Sequence, residues 1–131
     1  MRPASPGAFV RFRVALPVTD LERSRAFYAG LLGLPVEGGF ADHDGYDGVI
    51  LALPGGGQLE LTVGGPPPAA RTDDDLLVLY LATEEEVAAT VAALTEAGVA
   101  RVPSGNPYWD RWGATVLDPD GARVVLARVP S

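Results

Sequence analysis

The 131-residue chain contains no cysteine and a single histidine, His43. The first absence excludes disulfides, thiolate catalysis and cysteine zinc sites. The second excludes any centre that needs two imidazoles from one chain. No apolar run approaches the roughly 20 residues that cross a bilayer, and residues 1–7 lack the apolar segment of a secretory signal. The expectation is a soluble, cytoplasmic protein with no membrane partner. Basic side chains are scarce beside acidic ones, 10 against 17, for a net charge of −7. That balance argues against a nucleic-acid partner, because phosphate binding needs a basic face. It suits a cationic ligand, and equally a surface that is only soluble.

What the chain does contain is one pattern, present twice. Val14, Leu16 and Val18 alternate with Ala15 and Pro17, as in a strand with one buried face. Asp20 can cap the helix that follows. Leu21, Ser24, Phe27, Tyr28, Leu31 and Leu32 then fall on one side at the 3.6-residue period, and Gly33 with Pro35 ends the helix. In the second copy Leu77, Leu79 and Leu81 alternate, Thr83 caps, Glu86 completes a capping box, and Val87, Val91 and Leu94 form the stripe before Gly98. Asp20 and Thr83 stand 63 positions apart, and residues 54–61 echo 119–126 at a spacing of 65. Both spacings are close to half the chain, the mark of a tandem duplication.

The spacing predicts strands at about 9–18, 35–41, 49–53 and 58–63 in the first copy, with a hairpin loop over 42–48 and a Gly-rich turn over 54–57. Residues 64–72 are Pro-rich and read as a semi-rigid linker. The second copy has a strand after the acidic run 73–75, a short one at 99–102, an irregular loop at 103–111, and a final hairpin of 112–117 with 123–128. Its turn, Asp118-Pro119-Asp120-Gly121, has the residues that a type I turn prefers. Each copy is β-α-β-β-β, a sheet whose helix covers one face. The predicted fold class is α+β: a single domain, 1–131, of two tandem modules at about 9–63 and 73–131. Together they would form an eight-stranded, partly open barrel-like sheet around a central cleft. Strand positions facing away from the helices, such as Arg13, Glu60, Tyr80 and Val125, would line that cleft.

With these paired modules, the run 14–28, Leu31-Leu32-Gly33-Leu34 and Asp118-Pro119-Asp120-Gly121, the chain resembles the vicinal oxygen chelate superfamily. That group contains glyoxalase I, extradiol dioxygenases, and fosfomycin- and bleomycin-resistance proteins. The resemblance covers about residues 10–128. It extends to an uncharacterised bacterial subgroup with signatures found here at 42–48 and 106–110. It implies a divalent metal in many members, held at four positions that match Arg13, Glu60, Leu76 and Val125. Of these only Glu60 can ligate, so no metal and no other cofactor is expected, and metal-assisted chemistry is disfavoured with it. The resemblance also implies a homodimer, with modules closed on themselves or exchanged between chains.

Arg13 and Glu60 lie on neighbouring strands of this fold and admit two readings. They form a partly buried ion pair, near neutral for stability, or Arg13 is a forked donor for a ligand carboxylate or phosphate that Glu60 orients. The loop 42–48 lacks the later bidentate Glu of a calcium loop, and its Asp and Gly residues read as turn formers. Within it His43 is a candidate general base, with Tyr46 and Glu60 as the other candidate catalytic groups. Tyr108, Trp109 and Trp112 cluster beside one loop, and Tyr80 can share their surface. Such aromatics either pin the loop to the core or stack on a flat ligand.

These readings converge on a small-molecule-binding, sequestering protein, independent of metal. Arg13, Glu60, Tyr80, Tyr108, Trp109 and Trp112 are its candidate ligand-binding residues, and the ligand expected is flat, aromatic or cationic. The alternatives are an enzyme of the superfamily using metal-independent acid–base catalysis through Glu60, His43 or Tyr46, and a non-catalytic dimeric interaction protein.

Overall fold

A computed structural model describes residues 7–130. The chain divides into two compact units, one ending at Pro68 and the other beginning at Ala69, so the division falls inside the Pro-rich stretch. The fold is α+β, with two four-stranded mixed sheets.

Unit 1 contains β1 (Arg13–Pro17), α1 (Leu21–Arg25), β2 (Val36–His43), β3 (Tyr46–Ala52) and β4 (Gln58–Val63), in the sheet order β1-β4-β3-β2. β1 runs parallel to β4, and the other pairs are antiparallel. β1 is shorter than the predicted 9–18. Its ladder needs β4, which begins only at Gln58, so Phe9 and Val10 lie before the ladder and are 80% and 95% exposed. Asp20 caps α1 as expected, its carboxylate accepting from the Arg23 N–H at 3.1 Å. The helix then loosens into a π-helical turn over Ala26–Leu31, where the Leu32 N–H reaches the Phe27 carbonyl. That wider turn breaks the 3.6-residue register. Phe27 and Tyr28 stay buried, whereas Leu31, predicted on the same side, is 46% exposed. Beneath the helix lie Val49, Leu51, Leu59 and Leu61, all but inaccessible.

The hairpin between β2 and β3 is tighter than the predicted loop over 42–48. Asp44 and Gly45 both have positive φ, 52° and 87°. Asp-Gly in that conformation is the two-residue hairpin turn whose twist matches the strands it joins. The ladder therefore runs out to His43 opposite Tyr46. The Asp47 carboxylate accepts from the Asp42 N–H at 2.7 Å, so this aspartate serves the hairpin.

Unit 2 contains β5 (Leu76–Leu81), α2 (Glu84–Glu96), β6 (Arg101–Val102), α3 (Pro107–Trp112), β7 (Gly113–Leu117) and β8 (Arg123–Arg128), in the order β5-β8-β7-β6. It repeats unit 1: β5 is parallel to β8, and the remaining pairs are antiparallel. Thr83 caps α2, accepting from the Glu86 N–H at 3.1 Å. The Glu86 carboxylate closes the motif on the Ala82 N–H, one residue before the cap. Val87, Val91 and Leu94 are buried on the sheet, as the stripe predicted. The Asp118 carbonyl accepts from the Gly121 N–H at 3.0 Å and closes the predicted turn. The stretch 103–111 is an irregular loop only as far as residue 106, and from Pro107 on it is helical. Asn106 caps α3 by accepting from the Tyr108 N–H, with Pro107 at the first helical position, a pairing that pre-forms a helix start.

Candidate functional site

Strand alternation gives each sheet a helix-covered face and a helix-free face. In unit 1 the helix-free rows carry Arg13 on β1 and Gln58, Glu60 and Thr62 on β4. Arg13 is opposite Gln58 in the parallel ladder, so its guanidinium reaches two positions of the neighbouring row. It donates to the Gln58 side-chain amide oxygen at 3.0 and 2.7 Å and to the Glu60 carboxylate at 3.1 Å. Gln58 in turn donates to Glu37 at 3.0 Å, past the small Ala52 on β3. The pair is partly buried, with 32% of the Arg13 side chain and 18% of the Glu60 side chain exposed. Of the two arrangements the sequence left open, an ion pair exists, and it belongs to a four-residue polar network.

His43 and Tyr46 face each other at the far end of the β2–β3 hairpin. Glu60 pairs with Ile50, four residues further along β3, or about 13 Å at strand rise. The His43 side chain is 78% exposed, with Asp44 at 3.9 Å as its acidic neighbour. The three candidate acid–base groups are therefore not assembled at one place in unit 1.

In unit 2 the helix-free face carries aromatics instead. Tyr80, paired with Ala127 in the ladder, is 47% exposed. Its ring centroid lies 6.5 Å from that of Trp109, and Trp109 meets Tyr108 edge to face at 5.0 Å. α3 is what holds Trp109 in place. Its N–H donates to the Asn106 carbonyl at 3.1 Å, and the Asp110 carboxylate accepts from the Ser104 N–H at 2.9 Å. Tyr108 is also 47% exposed, so the three rings form a chain with two ends open. Arg123 is tied down near by, donating to the Pro103 carbonyl at 2.8 Å and pairing with Asp73 at 3.2 Å.

Trp112 parts from this group. Its ring has two guanidinium carbons near it, Arg111 at 5.1 Å and Arg128 at 4.9 Å from the centroid. Both arginines and Trp112 line a cavity with α2 on the helix-covered side of the sheet. The sequence reading grouped Trp112 with Tyr108 and Trp109 and passed over both arginines. The available signal was Arg128, a charge in the row of Val124 and Leu126 that otherwise buries apolar side chains.

The match to known proteins covers nearly all of this architecture. A model of the YycE-like N-terminal domain matches residues 12–62, and one of the YycE-like C-terminal domain matches residues 74–128. The chain belongs to the YycE-like family. It is 40% identical over 119 residues to the uncharacterised protein YycE of Bacillus subtilis (strain 168), covering 88% of this chain and 86% of that one. The crystal structure of a YycE protein of unknown function from Bacillus subtilis superposes with a TM-score of 0.85 at 38% identity, over 92% of this chain and 90% of that one. TnmS3, an antibiotic binding protein from Streptomyces sp. CB03234, is similar at a TM-score of 0.69 and 28% identity, over 95% and 98% of the two chains. Glyoxalase I of Leishmania major is similar at 0.70 and 26%, over 92% and 87%. These likenesses give the YycE-like fold as that of the vicinal oxygen chelate superfamily.

The superfamily's metal does not fit the residues that this YycE-like chain places at the four corresponding positions. Glu60 is the one oxygen donor, and Arg13 already occupies it at 3.1 Å. Leu76 and Val125 offer only alkyl groups, and Val125 is wholly buried. Among the described residues no group of three or more His, Cys, Asp or Glu side chains could hold a metal ion. Zn²⁺, Fe²⁺ and Mg²⁺ each need several nitrogen, sulfur or oxygen ligands. No helix among the described residues is long and apolar enough to cross a membrane.

Proposed function

We propose that this YycE-like protein binds and sequesters a flat aromatic small molecule on the helix-free face of unit 2, without metal and without transforming it. The observation that carries the reading is the ring chain Tyr80–Trp109–Tyr108, half-open to solvent at both tyrosines and braced by α3. Rings offered edge and face in this way stack on planar ligands and attract cations to their faces. The net charge of −7 favours the approach of a cation. The likeness to TnmS3, an antibiotic binding protein, supports a binding role. Acid–base catalysis is less well served, because His43 and Tyr46 stand about 13 Å along the sheet from Glu60.

The proposal includes a homodimer in the cytoplasm. Exposed Phe9, Val10 and Phe12, directly before the end strand β1, support self-association. Light scattering at micromolar concentration tests it, and a monomer that persists as concentration rises removes that part. The ligand reading is tested by tryptophan fluorescence with proflavine and anthraquinone-2-sulfonate as flat cationic and anionic probes. Saturable quenching that Tyr80→Ala and Trp109→Ala weaken at least ten-fold supports it. Affinities that neither substitution changes defeat it.

A further inference from the structure

We propose that unit 2 carries a second ligand site, on the opposite face of its sheet from Tyr80, for an amphipathic monoanion. The place is the cavity of about 820 Å³ between α2 and α3. That volume lies in the range of small-molecule sites, which are apolar with a few directed polar groups. Its wall is one side of α2, Val87, Ala88, Val91 and Ala92, the two valines lying at the edge of the helix's buried stripe, with Ala114 of β7 behind. Small residues at Ala88 and Ala92 leave the space open, and Glu84 to Glu96 gives it a length of about 18 Å at helical rise.

Arg111, Arg128 and Trp112 stand on the α3 side of this cavity, and their chemistry sets the ligand class. Two guanidinium groups lie against one indole ring, at 5.1 and 4.9 Å. Cation–π contact steadies a guanidinium group through its face and does not use its in-plane N–H donors. Among the described residues the ion pairs are Arg13–Glu60, His43–Asp44 and Arg123–Asp73, so neither arginine is in an ion pair. Arg128 is moreover half-buried, on a strand row that is otherwise apolar. Two guanidinium groups on one cavity wall, neither in an ion pair, are donors that a carboxylate or sulfonate head group can use. The apolar stripe would take the body of the same molecule. Glu84, Glu96, Asp110 and a third arginine, Arg101, also border the cavity, so its carboxylates balance its guanidinium groups in number. That balance disfavours polyphosphates and other multiply charged anions and leaves single-charge amphiphiles as the class.

The probe is 1-anilinonaphthalene-8-sulfonate, a monoanion with an aromatic body, titrated into the folded protein while its fluorescence is followed. The expected result is saturable binding, competed by decanoate but not by decanol, and weakened several-fold between about 50 and about 500 mM salt. Arg111→Gln and Arg128→Gln should each raise Kd ten-fold or more, about 1.4 kcal/mol. Ala92→Trp should block the cavity while keeping both arginines, which decides the matter if an arginine variant loses its circular-dichroism spectrum. Tyr80→Ala should leave this binding within two-fold, which separates the site from the one proposed above. The inference is overturned if Arg111→Gln, Arg128→Gln and Ala92→Trp all bind as the parent does, if Tyr80→Ala abolishes binding, or if the parent shows none at about 1 mM.

Discussion

Arg13 and Glu60 meet through a single 3.1 Å contact while the same guanidinium keeps two hydrogen bonds to Gln58. With a third of Arg13 exposed, loss of Glu60 leaves its charge partly solvated and still hydrogen-bonded. Glu60→Gln should therefore cost about 1 kcal/mol or less, and the double change Arg13→Met with Glu60→Leu should be near neutral. Urea unfolding of the two variants checks this. A loss of about 3 kcal/mol for Glu60→Gln alone would mean that the pair is sealed from water.

The same pairing bears on metal. Because Glu60 is the one oxygen donor among Arg13, Glu60, Leu76 and Val125, addition of Zn²⁺, Ni²⁺, Mn²⁺ or Mg²⁺ should not raise the melting temperature, and elemental analysis should find no stoichiometric metal. A one-to-one metal content that disappears in Glu60→Ala contradicts the donor-set argument.

Gly113 is fixed by a close approach. A Cβ there would stand 2.2 Å from the Leu126 carbonyl oxygen and 2.8 Å from the Ala127 Cα, both backbone atoms that cannot step aside. Gly113→Ala should cost about 2–3 kcal/mol and disturb Trp112 beside it. Near-parent stability, measured by thermal unfolding, would show that β7 and β8 have slack at this point.

The Asp118 turn should behave as a rigid corner. Its carboxylate accepts from the Asp120 and Ala122 N–H groups at 2.9 and 2.8 Å, and the residue is 9% exposed. Asp118→Ala should cost about 2 kcal/mol or more, and Asp118→Asn clearly less, because its amide oxygen can still accept both bonds. Equal losses in the two variants would mean that the charge, and not the acceptor geometry, holds the turn.

Most of the fold was legible in the sequence because its signals are local and doubled. Asp20 and Thr83 cap helices, Gly33 and Gly98 take positive φ at the helix ends, and the repeat fixed two equivalent sheets. The errors are places where one local signal overrode the period. The π-turn rotated Leu31 outward, Asp44-Gly45 tightened a hairpin read as a long loop, and Asn106-Pro107 started a helix in a stretch read as irregular. The site was legible by residue type but not by side. Tyr80 and Trp109 do come together, whereas Trp112 turns to the α2 side with Arg111 and Arg128. The side taken by Trp112 depends on the six-residue α3, which no strand periodicity encodes.

The central claim is binding without chemistry at Tyr80 and Trp109, and the most direct measurement follows both the ligand and the site. A flat aromatic ligand, starting with proflavine, is equilibrated with the protein, its Kd is measured, and the molecule is recovered and weighed by mass spectrometry. The account predicts a Kd of micromolar or below, about −8 kcal/mol, loss of affinity in Trp109→Ala with little change in melting temperature, and recovery of the ligand at unchanged mass. A ligand recovered as product, with turnover abolished by Glu60→Gln or His43→Ala while binding survives, would contradict it.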